Sequence, residues 1–407
     1  MRFDTAPYLK EKIKLSKFIK QASGCFVFFV IVVFILSPVN SAKAQSNEGG
    51  HEVKQRVKRI EEIEEKEGRL TPIIQQIFGE KVRLNGVVET NYEYLDAKDI
   101  DDENSGSSSD LFISSAALAL RVFFNEWSKA RIIGEAEDVG RDGGSGTLRL
   151  DEAIGTLQIP QTPFYFIGGK TVMPFGVFED RLIEGPLTED VYEIDEWGAT
   201  AGIAPEFYGL DISFSVYRNP QVIGNLKDFD THDFRPERQK EDKFRSYIAN
   251  VSLEPIEDTL ALSTFYDSEP GDGRRNRSIG GALALNFWKF SLEAEYITAL
   301  TREKGENDEE NKESTGVVGL AYDLLDSLEL ATRYEVFNDD QNGDQDEVLD
   351  YRLIAGFNYS FLGFMNLSFF DAAIFSFEYR FSKFEKEKDS DAADSQNMFQ
   401  FQLSLGF

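Results

Sequence analysis

The chain has 407 residues, with 43 Lys and Arg against 72 Asp and Glu, so its net charge at pH 7 is −29. So negative a chain lacks the basic surface that displaces counterions from nucleic-acid phosphates, which excludes the usual mode of nucleic-acid binding. Its single cysteine, Cys25, excludes an internal disulfide framework and a thiolate metal site.

The first 44 residues have the pattern of a secretory signal peptide. Five lysines between Lys10 and Lys20 precede an apolar run from Cys25 to Leu36, and the residues 42–44, Ala-Lys-Ala, supply a small-x-small cleavage motif. The apolar run is short for a membrane-spanning helix. We therefore predict an exported chain that begins at Gln45, with an uncleaved N-terminal anchor as the alternative.

Residues 45–80 are charged and differ from the rest of the chain. Val53, Val57 and Ile60 recur at helical spacing, which predicts a short amphipathic helix or linker in the periplasm. The pattern covers about two heptads, fewer than a coiled coil requires. An oligomerising stalk is the alternative for this segment.

From Lys81 onward the period of the sequence changes to two. In VRLNGVVETNYEY (82–94) and FSFEYRF (375–381), apolar or aromatic residues alternate with polar ones. Such alternation is typical of strands whose two faces meet different surroundings. We predict sixteen strands on this basis, at 81–95, 110–124, 129–139, 148–159, 163–174, 194–204, 208–218, 244–254, 259–268, 277–287, 290–301, 315–324, 327–337, 348–359, 371–382 and 397–407.

The predicted connections alternate in length. Those after even-numbered strands are short, such as NEWS and QTP, and those after odd-numbered strands are long and polar, such as REKGENDEENKE. Outer-membrane barrels have short periplasmic turns, longer extracellular loops and an even number of strands. The prediction is an all-β, 16-stranded antiparallel transmembrane barrel over 81–407, surrounded by outer-membrane lipid of a Gram-negative envelope, with a short N-terminal periplasmic helix.

The chain ends on an alternating apolar strand that finishes with an aromatic residue. Phe399, Phe401, Leu403, Leu405 and Phe407 share one face of MFQFQLSLGF. This resembles the C-terminal signal that the barrel assembly machinery reads, so that machinery is a predicted partner through Phe407.

Several blocks of the sequence resemble the LbtU-type siderophore porin family. They are DEAIGTL (151–157), PFYFIGGKTVMPFGVFE (163–179), IEGPLTEDVYEIDEWGATAGI (183–203) and FSLEAEYITALT (290–301). The resemblance covers most of the barrel and is densest over 150–300. It implies an outer-membrane channel used in ferric-siderophore uptake, and it carries over no individual ligand residues.

Strand phasing places charged side chains of both signs toward the lumen. Either these side chains pair with one another in a water-filled lumen, or some form a constriction with separate basic and acidic walls, which would set selectivity. In the second case we expect Lys170 and the arginines to contact an anionic ligand. The constriction candidates are Arg83, Arg131, Lys170, Arg333, Arg352, Arg380, Glu293, Glu295, Glu335 and Glu378.

The leading function is a porin that passes ferric siderophores or similar small polar solutes. The alternatives are a general or anion-preferring diffusion porin and a structural or adhesion barrel with acidic loops. No enzyme, cofactor or metal site is predicted, because the only histidines, His51 and His232, are in no catalytic pattern. An oligomer and an inward-folded loop within 177–193 or 219–243 are left open.

Overall fold

The structure is a computed structural model. The predicted signal peptide (1–44), the predicted helix (45–80) and both histidines lie outside the described residues. Those residues are 81–98, 106–142, 146–178, 181–205, 207–228, 243–304, 310, 312–339, 349–361, 370, 372–384 and 395–407.

Sixteen antiparallel strands form one closed barrel, as the sequence predicts. Each strand pairs with its neighbours in the sequence, and the last pairs with the first. The strands are β1 (Val82–Lys98), β2 (Gly106–Asn125), β3 (Ser128–Val139), β4 (Thr147–Gln158), β5 (Phe164–Val172), β6 (Asp195–Ile203), β7 (Asp211–Arg218), β8 (Phe244–Ile256), β9 (Leu260–Pro270), β10 (Arg275–Phe287), β11 (Phe290–Thr301), β12 (Glu313–Leu325), β13 (Leu328–Asp339), β14 (Leu349–Ser360), β15 (Ala372–Phe384) and β16 (Ser395–Gly406).

The C-terminal strand closes the barrel. β16 pairs with β15 on one side and with β1 on the other, from Val87 opposite Gly406 to Lys98 opposite Ser395. The backbones of Gly86 and Phe407 exchange two hydrogen bonds, of 2.9 and 3.0 Å. Closure leaves no strand edge, so every strand finds backbone partners inside a membrane.

The period of two separates lipid-facing from lumen-facing side chains. Leu118 and Phe214, which point outward, are 48% and 50% exposed, whereas the inward-pointing Arg131 and Glu135 on β3 are buried. An exterior of exposed large apolar residues is unfavourable in water and favourable in lipid. No helix of the described residues is long and apolar enough to cross a membrane.

The two ends of the barrel differ as predicted. At one end the connections are short, for example 126–127, 288–289 and 326–327, although the one from β14 to β15 spans 361–371. At the other end most are longer, although the one from β9 to β10 spans only 271–274, and two of them contain helices. These helices are α1 (Leu187–Tyr192), between β5 and β6, and α2 (Val222–Asp228), between β7 and β8.

The connection from β5 to β6, residues 173–194, folds into the barrel over its described parts, 173–178 and 181–194, and we call it the inward loop. Its helix α1 contacts α2 and strands β11 to β13. The largest hydrophobic cluster therefore lies within the barrel rather than between layers. Its buried members are Met173, Phe175, Phe178, Leu187, Val191, Tyr192, Ile194, Tyr217, Val222, Leu226, Ile248, Phe265, Ile297 and Phe337.

Candidate functional site

The inward loop fills the part of the lumen next to β7–β13. Phe175 of the loop packs edge-on against Phe265 of β9, with ring centroids 5.2 Å apart. Ile248 of β8 and Ile297 of β11 belong to the same cluster and are fully buried. Apolar side chains that point inward from these strands are thus covered by the loop, because exposure to lumen water would be unfavourable. The loop is consequently fixed to one side of the barrel.

Glu295 of β11 holds both ends of the loop's inner segment. Its carboxylate accepts hydrogen bonds from the Val177 backbone N–H at 2.7 Å and from the Thr188 hydroxyl at 2.6 Å. Hydrogen bonds to a charged acceptor are stronger than neutral ones. One lumen carboxylate therefore ties together two points of the loop that are eleven residues apart.

Two further carboxylates satisfy loop backbone donors. Glu335 of β13 accepts the Leu187 N–H at 3.0 Å, at the start of α1. Glu378 of β15 accepts the N–H groups of residues 183 and 184, at 2.8 and 3.1 Å. Both glutamates are buried, so they replace the water that these N–H groups would otherwise bind.

Two arginines, on β13 and β14, also bind the inward loop. Arg333 donates to the carbonyl oxygens of residues 184–185 at 2.7 Å each, and its Nε lies 2.7 Å from the Glu335 carboxylate. Arg352 pairs with Glu335 at 2.5 Å and with Asp190 of α1 at 3.0 Å. Glu335 therefore stands between two guanidinium groups and a helix N–H, and we call these three residues, Arg333, Glu335 and Arg352, the lumen clamp.

Arg181 of the inward loop makes a matching contact with the wall. It pairs with Glu293 of β11 at 2.7 Å and with Glu329 of β13 at 2.8 Å. Asn358 of β14 donates to its backbone carbonyl at 2.8 Å. Sequence reasoning did not single out Arg181, because nothing in the sequence shows which distant carboxylates a loop arginine meets.

The tip of the inward loop reaches β15 and β16, next to the place where β16 pairs with β1. The Glu184 carboxylate accepts a hydrogen bond from Gln400 of β16 at 2.8 Å and lies 3.4 Å from Arg380 of β15. Gln400 also donates to Glu93 of β1 at 3.1 Å. The loop thus runs from β5 and β6 to β15 and β16.

The C-terminal part of α1 rests on a buried ion pair. Tyr192 donates to the Glu313 carboxylate at 3.1 Å, and Arg302 pairs with the same carboxylate and donates to Ser278 at 2.9 Å. Burial, together with the charge of Glu313, raises the pKa of the Tyr192 phenol well above its usual range. Tyr192 therefore stays a hydrogen-bond donor at any ordinary pH.

Strands β1, β3 and β5 carry the remaining basic candidates. Arg131 forms two hydrogen bonds with Glu152, of 2.5 and 2.8 Å. Lys170 donates to the Asp151 carbonyl at 3.0 Å and pairs with Asp195. Lys170 is thus tied to the strand ends from which the inward loop departs.

A close approach of strands positions this lysine. Gly169 has φ +139°, and a Cβ there would lie 1.9 Å from the carbonyl oxygen of Ala153. Only glycine fits such a contact without moving the backbone. The glycine lets β4 and β5 approach each other immediately before the inward loop.

The structure divides the ten predicted constriction residues into two groups. Contacts with the inward loop are made by Glu293, Glu295, Arg333, Glu335, Arg352, Glu378 and Arg380. The others, Arg83, Arg131 and Lys170, lie on β1, β3 and β5. Their roles in selectivity are still predictions. In the described part of the chain, no group of three His, Cys, Asp or Glu side chains is arranged to hold a metal ion.

The sequence contained one unused signal for the inward loop. Residues 173–194 include Met173, Phe175, Phe178, Leu187 and Val191, whereas the other long connections at the same end of the barrel are dominated by polar residues. A polar extracellular loop has no need for so many large apolar side chains. Their number indicates a segment that is buried.

Solved structures similar to this one are outer-membrane channels. The anion-selective porin from Comamonas acidovorans has a TM-score of 0.55 and 14% identity, over 80% of this chain and 99% of that one. The outer-membrane channel DcaP of Acinetobacter baumannii has a TM-score of 0.58 and 12% identity, over 80% of this chain and 97% of that one. Salmonella typhi OmpF, solved in complex with daunomycin, has a TM-score of 0.56 and 12% identity, over 80% of this chain and 97% of that one.

No family model matches the chain, and no curated protein matches it in sequence. The predicted membership of the LbtU-type family is therefore not confirmed. The closed barrel and the structural neighbours define the class: the chain has the fold of an outer-membrane porin. The predicted outer-membrane location is confirmed with it.

Proposed function

We propose that the chain is a diffusion channel for small polar solutes. The passage runs between the inward loop on one side and the inner wall of β1–β4 on the other. The loop packs on β7–β13 through its apolar cluster, and the wall of β1–β4 carries the charged side chains on the other side of the lumen. Sixteen strands are enough to leave an aqueous passage.

The observation that carries this proposal is the polarity of the inner wall of β1–β4. Arg83, Arg121 and Lys129 are half-buried and point inward, as do Glu89 and Glu137. Charged side chains at such positions are stable only beside water or opposite charges. The porins and channels among the structural neighbours, one of them anion-selective, support the same function for this chain.

Liposome swelling tests this function. Vesicles that contain the purified barrel are expected to swell in isosmotic solutions of small sugars and amino acids, and to swell more slowly as solute size increases, because the inward loop narrows the lumen. Vesicles without protein are the control. A properly folded barrel that admits none of these solutes would instead indicate a structural or adhesion role for its acidic loops.

A narrower proposal is that ferric siderophores are among the solutes. It is supported by the resemblance of residues 150–300 to the LbtU-type siderophore porins. A strain that lacks the gene is expected to grow more slowly than its parent on a ferric siderophore as the sole iron source, and to grow equally on a simple ferrous salt. Equal growth on both iron sources would contradict this narrower proposal and leave the general channel function intact.

A further inference from the structure

A second apolar cluster lies on the inner wall of β1–β3. Its members are Val87, Ala117, Ala119 and Ile133, and none of them belongs to the cluster that the inward loop builds. Ala119 and Ile133 are register partners on β2 and β3 and are 2% and 1% exposed. Strand neighbours enclose the sides of such side chains, whereas their tips face the lumen, where contact with water is unfavourable. A segment that covers the cluster from the lumen side would therefore be stabilised by it.

A polar side chain in the same patch favours a cover that carries oxygen atoms. Asn85 of β1 is the register partner of Ala119 and is 2% exposed. Its Nδ2 makes no hydrogen bond within the part of the chain that the structure describes. A buried amide donor without an acceptor costs free energy. A carbonyl or carboxylate oxygen of a covering segment would remove this cost.

The charge of this wall changes sign along the strands. At the end with the short turns, Arg83 of β1 and Arg131 of β3 both lie in register with Arg121 of β2. Beyond the apolar cluster, Glu89 of β1 and Glu137 of β3 hold the corresponding positions. A segment that complements the wall thus has an apolar stripe, an acidic part toward the short turns and a basic part toward the long loops.

Residues 52–67, which lie outside the described residues, have this composition in this order. Their sequence, EVKQRVKRIEEIEEKE, contains four basic residues within 54–59 and five glutamates within 61–67. Val53, Val57 and Ile60 recur at helical spacing and form one side of a predicted helix, which we call the apolar stripe. The acidic part is the one nearer to β1 in sequence, so it would reach the wall at the end where the arginines lie.

The chain arrives at this wall from the end with the short turns. β1 begins at Val82, so the patch starts a few residues after the segment ends. Gly68 and Pro72, in the connection between them, are residues that commonly mark a change of direction. A helix of sixteen residues is about 24 Å long, and the apolar band of an outer-membrane barrel is about 25 Å tall. A helix over 52–67 therefore has the length of the lumen.

We propose that residues 52–67 dock as a helix inside the lumen, on the inner wall of β1–β3. The apolar stripe covers the cluster of Val87, Ala117, Ala119 and Ile133, and the glutamates lie beside the arginines. The sequence alone predicts a periplasmic helix or a stalk for this segment, so docking in the lumen is a different location. The effect on conductance rests on the proposed channel function, because the passage then runs between the inward loop and this helix.

Disulfide trapping in the purified mature barrel tests the location. The mature chain has no cysteine, because Cys25 lies in the predicted signal peptide. One residue of the apolar stripe at a time is changed to Cys, together with Ala119→Cys, and at least one pair is expected to form a disulfide on mild oxidation. Cleavage at a protease site inserted after Gly68 then leaves the two fragments joined until reductant is added. The control replaces Ala119→Cys by Ala201→Cys, on the outer face of β6, and is expected to give no joined fragments.

Single-channel conductance in planar bilayers tests the consequence. Deletion of residues 52–67 is expected to increase conductance about two-fold, because a helix about 10 Å across leaves the lumen. Val57→Asp places a charge on the docking face and is expected to increase conductance as well. The matched control is Gln55→Asp, which adds the same charge on the opposite side of the predicted helix and is expected to keep wild-type conductance.

The outcomes separate docking from the channel function. Disulfides between two chains that carry a single stripe cysteine would show an oligomerising stalk and overturn docking in the lumen. A folded barrel in which no stripe cysteine joins Ala119→Cys overturns it too, as does wild-type conductance in both the deletion and the Val57→Asp variants. The disulfide is measured without current, so a folded barrel that joins its fragments but passes no current contradicts the channel function alone. Heat-modifiable mobility in SDS gels shows that each variant is folded.

Discussion

Replacing Glu335 with alanine is expected to lower the free energy of unfolding by about 3–5 kcal/mol, the cost of removing one partner from a buried ion pair. Glu335 is fully buried and stands between Arg333 and Arg352 in the lumen clamp. Its loss leaves two guanidinium groups without their shared carboxylate and the Leu187 N–H without its acceptor. Urea titration of the barrel in micelles, followed by tryptophan fluorescence, measures the change.

Two further variants test whether the loss of stability is specific to the charge of Glu335 and to its buried position. Glu335→Gln keeps an acceptor for the Leu187 N–H but loses the charge. Its free energy of unfolding is therefore expected to lie between those of wild type and Glu335→Ala. Glu137→Ala removes a carboxylate that pairs with the half-exposed Arg149 at 2.8 Å, and Arg149 also lies 3.3 Å from Glu135. Its cost is expected to stay below about 1 kcal/mol. Equal urea midpoints for Glu335→Ala and Glu137→Ala would show that the clamp contributes no special stability.

Replacing the inward loop by a tight turn is expected to increase single-channel conductance several-fold. Val172 and Asp195, which flank residues 173–194, are register partners on β5 and β6, so an Asn-Gly turn is able to connect the two strands directly. The sixteen strands and their pairing are unchanged by this replacement. The lumen beside β7–β13 then fills with water instead of the apolar cluster, which widens the passage.

The same variant is expected to admit larger sugars in liposome swelling and to be less stable than wild type. Ile248, Phe265 and Ile297 lose their apolar cover, and each exposed side chain of this size costs roughly 1.5–3 kcal/mol. The matched control is a deletion within residues 341–347, in the connection between β13 and β14 at the same end of the barrel. That deletion is expected to leave conductance unchanged. A folded loop-replacement variant with wild-type conductance would contradict the assignment of the loop as the constriction.

The sequence by itself determined the barrel. Alternation of apolar and polar residues is a local property, because consecutive side chains of a strand point to opposite faces. In VRLNGVVETNYEY it already separates the lipid face from the lumen face. The alternation of loop lengths then indicates which end of each strand lies at the periplasmic side. The number of strands and their approximate limits follow without knowledge of any distant contact.

Only the tertiary structure decided what the inward faces meet. The period of two directs Glu335 and Arg121 inward equally well, yet Glu335 accepts the Leu187 N–H, 148 residues away in sequence, whereas Arg121 lies in register with Arg83 and Arg131 on the neighbouring strands. The difference arises because residues 173–194 fold inward and cover one side of the lumen. The apolar residues of 173–194 indicate that this segment is buried, but its partners, such as Phe265 and Ile297, come from strands distant in sequence, so no local pattern shows which part of the lumen it covers.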